Sequence, residues 1–268
     1  MVGRVVLRAV VALVFVFLLL PVAIVVVSSF SSSPGLTFPP AGFTLDWYAK
    51  ISPDFLAAAQ VSILVAVGST ALAIVVGVPV ALALVRSSMP SKNFVSMLCL
   101  SPLMVSTLVI GVALFQFTMA LWDAFNLSLG GDIPILVLGH AAFTIPFVIR
   151  AAIAGQAHFD NSLEEASLNL GATPMQTFFR VTLPLLMPGI VSGAIFAFIM
   201  SFDDVPVALF LGSGANPTLP VKIYTSVEFA IDADVMAVGT IVIAGSLLIM
   251  LMLDRLVGLD KFFGDAKA

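Results

Sequence analysis

The chain has 268 residues, of which 60% are hydrophobic and 10% charged, with a net charge of −4 and a mean hydropathy of +1.17. Soluble domains run nearer roughly 45–50% apolar and about 25% charged, so water is excluded as the solvent for most of this surface. A single cysteine, Cys99, excludes an internal disulfide, and the two histidines show no metal-ligand spacing. Runs free of Asp, Glu, Lys and Arg occupy Ala9–Val27, Ala57–Val85, Phe94–Trp122, Ile133–Ile149, Val181–Phe202 and Val235–Leu253. Runs of about 18 or more apolar residues read as membrane-spanning helices. The fourth is short and contains Pro134 and Pro146, which a span tolerates when neighbouring helices satisfy the freed carbonyls. Six spans are therefore expected, at 9–30, 57–85, 94–120, 133–150, 184–203 and 235–254, in one domain over residues 1–268.

Arg4 and Arg8 before the first run suit either a signal peptide or an anchor. The run exceeds the usual h-region of about 7–15 residues and no A-x-A site follows, so it reads as a retained anchor. With both termini inside, Arg4, Arg8, Arg86, Lys92, Arg150, Arg180, Arg255, Lys261 and Lys267 fall on the cytoplasmic side, nine of the 11 basic residues. Only Lys50 and Lys222 fall outside. Cytoplasmic loops are enriched in Lys and Arg, which selects this orientation over its inverse.

The first external loop, Ser28–Phe55, carries Trp47 and Tyr48, whose rings suit a membrane–water boundary. After Asp203, "VPVALFLG" is apolar for too few residues to cross a bilayer and reads as a re-entrant or interfacial piece. Gly68, Ser69, Gly77, Gly189, Gly193, Gly239 and Gly245 keep helix surfaces small, as close packing in lipid requires.

The segment between the fourth and fifth spans is polar and capped. Ser162 and Glu165 have capping-box spacing, Gly171 is placed to end the first helix, and Thr173-Pro174 with Gln176 opens a second. Two short helices meeting at a glycine turn, partly apolar through Leu163, Leu170, Phe178 and Phe179, suit insertion into a groove on another protein. Packing against the chain's own bundle is the alternative.

Glu165-Ala166-Ser167, three residues, Gly171, nine residues, Val181, one residue, then Leu183-Pro184 resembles the EAA loop of binding-protein-dependent ABC importer permeases. The family pattern has Ala where this chain has Ser167 and Ile where it has Val181, changes that roughly preserve size. "FTLDWY" at Phe43–Tyr48, "SFDDV" at Ser201–Val205 and "LPVKIY" at Leu219–Tyr224 are similar to the second permease of spermidine/putrescine-type importers.

The resemblance implies an all-α integral membrane fold, a six-helix type I ABC importer permease bundle with a cytoplasmic coupling helix in the loop at 160–183. It implies that Glu165, Ala166, Ser167 and Gly171 couple to a separate ATPase subunit, with Glu165 either making a polar contact to it or mainly capping its own helix. It implies as partners a second homologous permease, two cytoplasmic ATPase subunits and an extracytoplasmic solute-binding protein. The chain would sit in a bacterial inner membrane, in contact with lipid and with no nucleic acid. ATP and Mg would belong to the partner ATPase, with no cofactor on this chain. The expected solute is a polyamine. The alternatives are another small solute carried by the same architecture, or a stand-alone ion-driven carrier.

Asp203 and Asp204 close a long uncharged run, and a carboxylate at membrane depth is by default functional. Neighbouring helical residues point about 100° apart, so one acid is free to face a translocation path while the other caps or pairs. Tyr224 is the candidate for a cation–π contact with a cationic solute. The alternative places both acids outside the bilayer, holding an external loop. Glu228, Asp232 and Asp234 read as a solvated face, or as a docking face for the binding protein. His140, inside an apolar run, reads as a hydrogen-bonded interior residue, and His158 lies near the cytoplasmic loop. No Gly-Lys pair occurs, so a phosphate-cradling P-loop is absent, as are G-x-S-x-G and H-E-x-x-H. The chain reads as a non-catalytic transport subunit.

Overall fold

The computed structural model describes residues 2–35, 38–87, 89–126, 131–156, 160, 162–229 and 233–257. Its described residues are helical or irregular, with one isolated bridge between Ser31 and Phe43. His158, Asp232, Lys261 and Lys267 lie outside the described residues.

The chain divides into two compact units, Met1–Leu56 with Lys222–Ala268, and Ala57–Val221. The first holds α1 (Val2–Ser28), α2 (Asp46–Ala49) and α12 (Ala233–Val257), with the start of α3 (Pro53–Arg86) and most of α11 (Leu219–Phe229). In it, α12 packs on α1 and α2. The α1 side chains are exposed along nearly its whole length, Phe17 by 73% and Leu13 by 70%, as expected of a helix solvated by lipid. The loop after α1 folds back on itself. The Trp47 indole N–H donates to the Ser31 carbonyl at 2.8 Å, and the Tyr48 and Ser29 hydroxyls share a hydrogen bond at 2.7 Å. Lys222 pairs with Asp54 at 3.4 Å and lies over the Phe55 ring.

The second unit contains the body of α3, then α4 (Lys92–Leu100), a 3-10 turn (Ser101–Met104), α5 (Thr107–Phe125), α6 (Asp132–Gln156), α7 (Ser162–Asn169) and α8 (Pro174–Thr177). A π-helical segment (Phe178–Thr182), α9 (Leu183–Phe202) and α10 (Pro206–Leu211) follow. Helices α6 and α9 form its central packed pair. Glycine makes their contact possible. A Cβ on Gly193 would lie 2.8 Å from the Val148 Cα, and one on Gly189 2.8 Å from the Ala151 carbonyl oxygen. With no side chain between them the backbones approach closely, the packing mode of membrane helices. Val148, Leu186, Ile190 and Ala197 are buried around this seam.

Among the described residues, five helical segments are long and apolar enough to cross a membrane: Gly3–Ser28, Pro53–Arg86, Thr107–Phe125, Asp132–Gln156 and Pro174–Phe202. α12 runs for 25 residues, with an apolar stretch at Asp234–Leu248. Two expectations about helix continuity change. The run at 94–120 is not one helix; it breaks at Ser101–Met104, where Pro102 lacks an N–H and Val105 is extended. The run at 184–203 does not simply end in an external loop. After a break at Asp203–Val205, "PVALFL" resumes as α10, which packs on α5 and α6 and buries Val207 and Ala208. That piece, expected as a re-entrant or interfacial segment, is packed into the core of its unit.

Candidate functional site

The two helix breaks meet. A cleft of about 340 Å³ is lined by Pro102, Leu103, Val105 and Thr107 from the first break, and by Asp203–Pro206 from the second. Phe143, Phe147 and Met200 complete its wall. Irregular backbone at membrane depth is tolerated only where protein buries it or where it lines a cavity, and these breaks do the latter.

Register along α6 gives the depth. Gly155 faces Gly189, Val148 faces Gly193, His140 bonds Ser201, and Gly139 abuts Leu211. At the far end Asp132 accepts hydrogen bonds from the Ser213 hydroxyl (2.6 Å) and the Asn216 amide (3.2 Å). α9 and α10 thus run together alongside α6, opposite in direction, with the acids between them. Phe143, beside those acids, stands about 17 Å along the 25-residue α6. The break lies near the middle of that helix, not at its outer end.

The two acids do different work. One Asp204 carboxylate oxygen accepts from the N–H groups of Val207 (2.8 Å) and Ala208 (3.3 Å), and the residue is 7% exposed. It caps α10, satisfying donors that a helix start leaves without partners. The Asp203 side chain is exposed and makes no hydrogen bond or ion pair among the described residues. Its carboxylate is open to the cleft.

Next to the cleft wall a polar chain is fully buried. His140 Nδ1 lies 2.8 Å from the Ser201 hydroxyl, which accepts from the Ser69 hydroxyl at 2.9 Å. The interior, hydrogen-bonded reading of His140 holds. Among the described residues no group of three His, Cys, Asp or Glu side chains is placed to hold a metal ion.

The polar loop forms a helical hairpin. Gly171 has φ +86, the left-handed conformation that ends α7. Thr173 and Gln176 form the reciprocal capping box that opens α8. The start of α7 differs from expectation. Ser162 is itself helical, and its N–H donates to the Asp160 carboxylate at 2.9 Å. Hydrogen bonds from the Ser162 side chain and N–H hold the Asp160 carboxyl below the usual range. Glu165 and Ala166 are exposed, and Glu165 makes no side-chain hydrogen bond among the described residues. Leu170 is 89% and Met175 67% exposed, an apolar tip on either side of Gly171. Ser167 faces inward instead: its hydroxyl bonds that of Thr177 at 3.0 Å and ties α7 to α8. Tyr224, on α11 in the other unit, is 52% exposed.

Sequence reasoning missed two contributors. Phe143 and Phe147 looked like ordinary bundle residues, and no local pattern distinguishes a cleft wall from a lipid face. The break opposite them did carry a signal, the "SPLMVS" at Ser101–Ser106 inside an apolar run.

Residues 73–259 match the family described as binding-protein-dependent transport system inner membrane component. The chain is 32% identical over 268 residues to the spermidine/putrescine transport system permease protein PotC of Escherichia coli (strain K12), covering 99% of this chain and 98% of that protein. It is 30% identical to the putrescine transport system permease protein PotI of the same strain, covering 85% and 82%. It is also 30% identical to the molybdenum transport system permease protein ModB of Mycobacterium bovis, covering 76% and 81%. Its fold matches a chain of a bacterial ABC transporter involved in import of the acidic polysaccharide alginate, with TM-score 0.69, 17% identity and coverage of 96% and 95%. A chain of the inward-facing MetNI methionine ABC transporter matches at TM-score 0.57 and 19% identity, covering 80% of this chain and 98% of that one.

Proposed function

This chain belongs to the family of binding-protein-dependent transport system inner membrane components, the multi-pass permease subunits of ABC importers, and on that premise we propose that it carries a polyamine past Asp203. The observation that carries this reading is the cleft between two interrupted helices, with an unpartnered carboxylate against apolar and aromatic walls. A polyamine is a methylene chain bearing ammonium groups. Asp203 balances one ammonium, while Phe143, Phe147 and Met200 face the methylenes, and a ring face adds cation–π attraction. The names of the PotC and PotI relatives agree. The ModB relative shows that identity near 30% does not by itself choose the cargo; two adjacent carboxylates at the cleft disfavour an anion there.

The driving force enters through the hairpin. Glu165, Ala166 and the apolar tip around Gly171 dock into a separate ATPase subunit, and Ser167 keeps the two short helices together. ATP and Mg bind on that subunit. The docked hairpin makes different contacts in the nucleotide-closed and open states, and this difference shifts the bundle between outward-open and inward-open arrangements. A second permease completes the path, two ATPase subunits sit beneath, and a solute-binding protein delivers cargo. Both termini face the cytoplasm in this reading, which the distribution of Lys and Arg supports.

The test is uptake by proteoliposomes holding the complex purified through this chain. ATP-dependent uptake of labelled spermidine or putrescine, and none of molybdate, is expected. Uptake with no ATPase subunit present, or preference for the anion, overturns the reading. The cation–π role of Tyr224 is tested in the same assay by Tyr224→Leu, which is expected to weaken uptake of cationic solutes alone.

A further inference from the structure

We propose that Glu164, the acid immediately before the motif's own Glu165, is the positioning residue that fastens the coupling hairpin to the membrane bundle. The inference rests on the coupling reading given above and adds the element through which motion is passed on. Glu164 Oε1 accepts a hydrogen bond from Arg86 Nη2 at 2.5 Å and another from the Thr182 hydroxyl. Arg86 ends α3, and Thr182 ends the π-helical segment that leads into α9. One carboxylate in the first turn of α7 therefore holds the ends of two long helices.

The adjacent acids divide the work because they point about 100° apart on a helix. The Glu164 side chain is 19% exposed and committed to the bundle, while Glu165 faces outward without a partner among the described residues. Thr182 is 1% exposed, so its hydroxyl is anchored in the packed interior. The backbone beside it is π-helical, a wider turn that often marks functional sites in helices. α9, one of the two helices so gripped, carries Asp203 at its other end. Of the two ties, the charged one to Arg86 passes a displacement of α7 to α3, whose Ser69 hydroxyl bonds Ser201 on the helix that bears the cleft carboxylate. With Arg86 49% exposed, the ion pair adds little to global stability, so breaking it leaves the bundle folded and tests geometry alone.

The experiment uses the whole complex in proteoliposomes and reads ATPase co-purification, ATP hydrolysis and solute moved per ATP. Glu164→Gln keeps an acceptor for Thr182 and loses the charge that Arg86 meets. It is expected to retain the ATPase subunit and hydrolyse ATP, with solute per ATP lowered about fivefold or more, the low end of ordinary coupling between sites. Arg86→Gln and the double variant are expected to show the same loss, since all three break one tie, while Arg86→Lys restores the wild-type ratio. An unchanged ratio in Glu164→Gln overturns the proposal. So does loss of the ATPase subunit, which would make Glu164 a docking contact, and so does additive loss in the double variant. If the wild-type complex shows no ATP-dependent uptake, the coupling reading itself fails and this inference falls with it.

Discussion

His140 Nδ1 lies 2.8 Å from the Ser201 hydroxyl, joining α6 to α9 through two side chains that are 0% and 3% exposed. Ser69 extends the bond to α3, and the Phe143 ring that lines the cleft stands 5.5 Å from the imidazole. The bond therefore sets the spacing of the helices on which the cleft is built. Ser201→Ala strands a buried imidazole nitrogen, while Ser69→Ala leaves His140 its partner. The first is expected to cost about 1–3 kcal/mol and the second less. Thermal unfolding in detergent checks the order, and a double-mutant cycle of His140→Ala with Ser201→Ala is expected to be non-additive.

The two aspartates separate by assay. Asp203→Asn removes charge from an open carboxylate and is expected to lower uptake of cationic solutes about tenfold, leaving stability unchanged, if the ammonium contact is worth about 1.4 kcal/mol. Asp204→Ala removes the acceptor for the Val207 and Ala208 N–H groups. It is expected to cost about 0.5–2 kcal/mol of stability, the ordinary loss of a helix cap. Equal effects of Asp203→Asn on cationic and neutral solutes would remove direct charge recognition from the account.

Gly193 and Gly245 make a matched pair for the packing argument. A methyl group at Gly193 meets the Val148 Cα at 2.8 Å, whereas one at Gly245 meets nothing within 4 Å. Gly193→Ala must push α6 and α9 apart and is expected to destabilise by about 1–3 kcal/mol. Gly245→Ala is expected to be neutral or slightly stabilising, since alanine favours helix. Melting temperatures of the two purified variants give the comparison.

At the hairpin, Gly171 has open space around it but a left-handed backbone. Gly171→Ala is expected to cost only about 1–2 kcal/mol of local strain, while Gly171→Arg puts a bulky charge at the exposed tip and is expected to abolish ATPase-driven uptake without preventing membrane insertion. Ser167→Ala loses the bond to Thr177, worth about 0.5–1.5 kcal/mol, and is expected to keep uptake. Co-purification of the ATPase subunit with each variant distinguishes docking from folding.

The membrane environment, the apolar runs and the capped hairpin were legible in the residues because each depends on neighbours. Hydrophobicity is counted over one run. Thr173 meets Gln176 three positions away, and Gly171 needs only its own φ. A helix start misread by one residue at Ser162 is an error of the same local scale.

What tertiary structure decided was direction. Asp203 and Asp204 are chemically identical neighbours, and so are Glu164 and Glu165. Which one is free and which is bound depends on where distant backbone falls: Val207 and α10 for one pair, Arg86 and Thr182 for the other. The break at Ser101–Met104 became a cleft wall only because a second break, about a hundred residues further along, was packed against the same stretch of α6. Such pairings are set by the burial of whole helix faces, a free energy summed over surfaces far apart in the chain, and no short window of residues contains it.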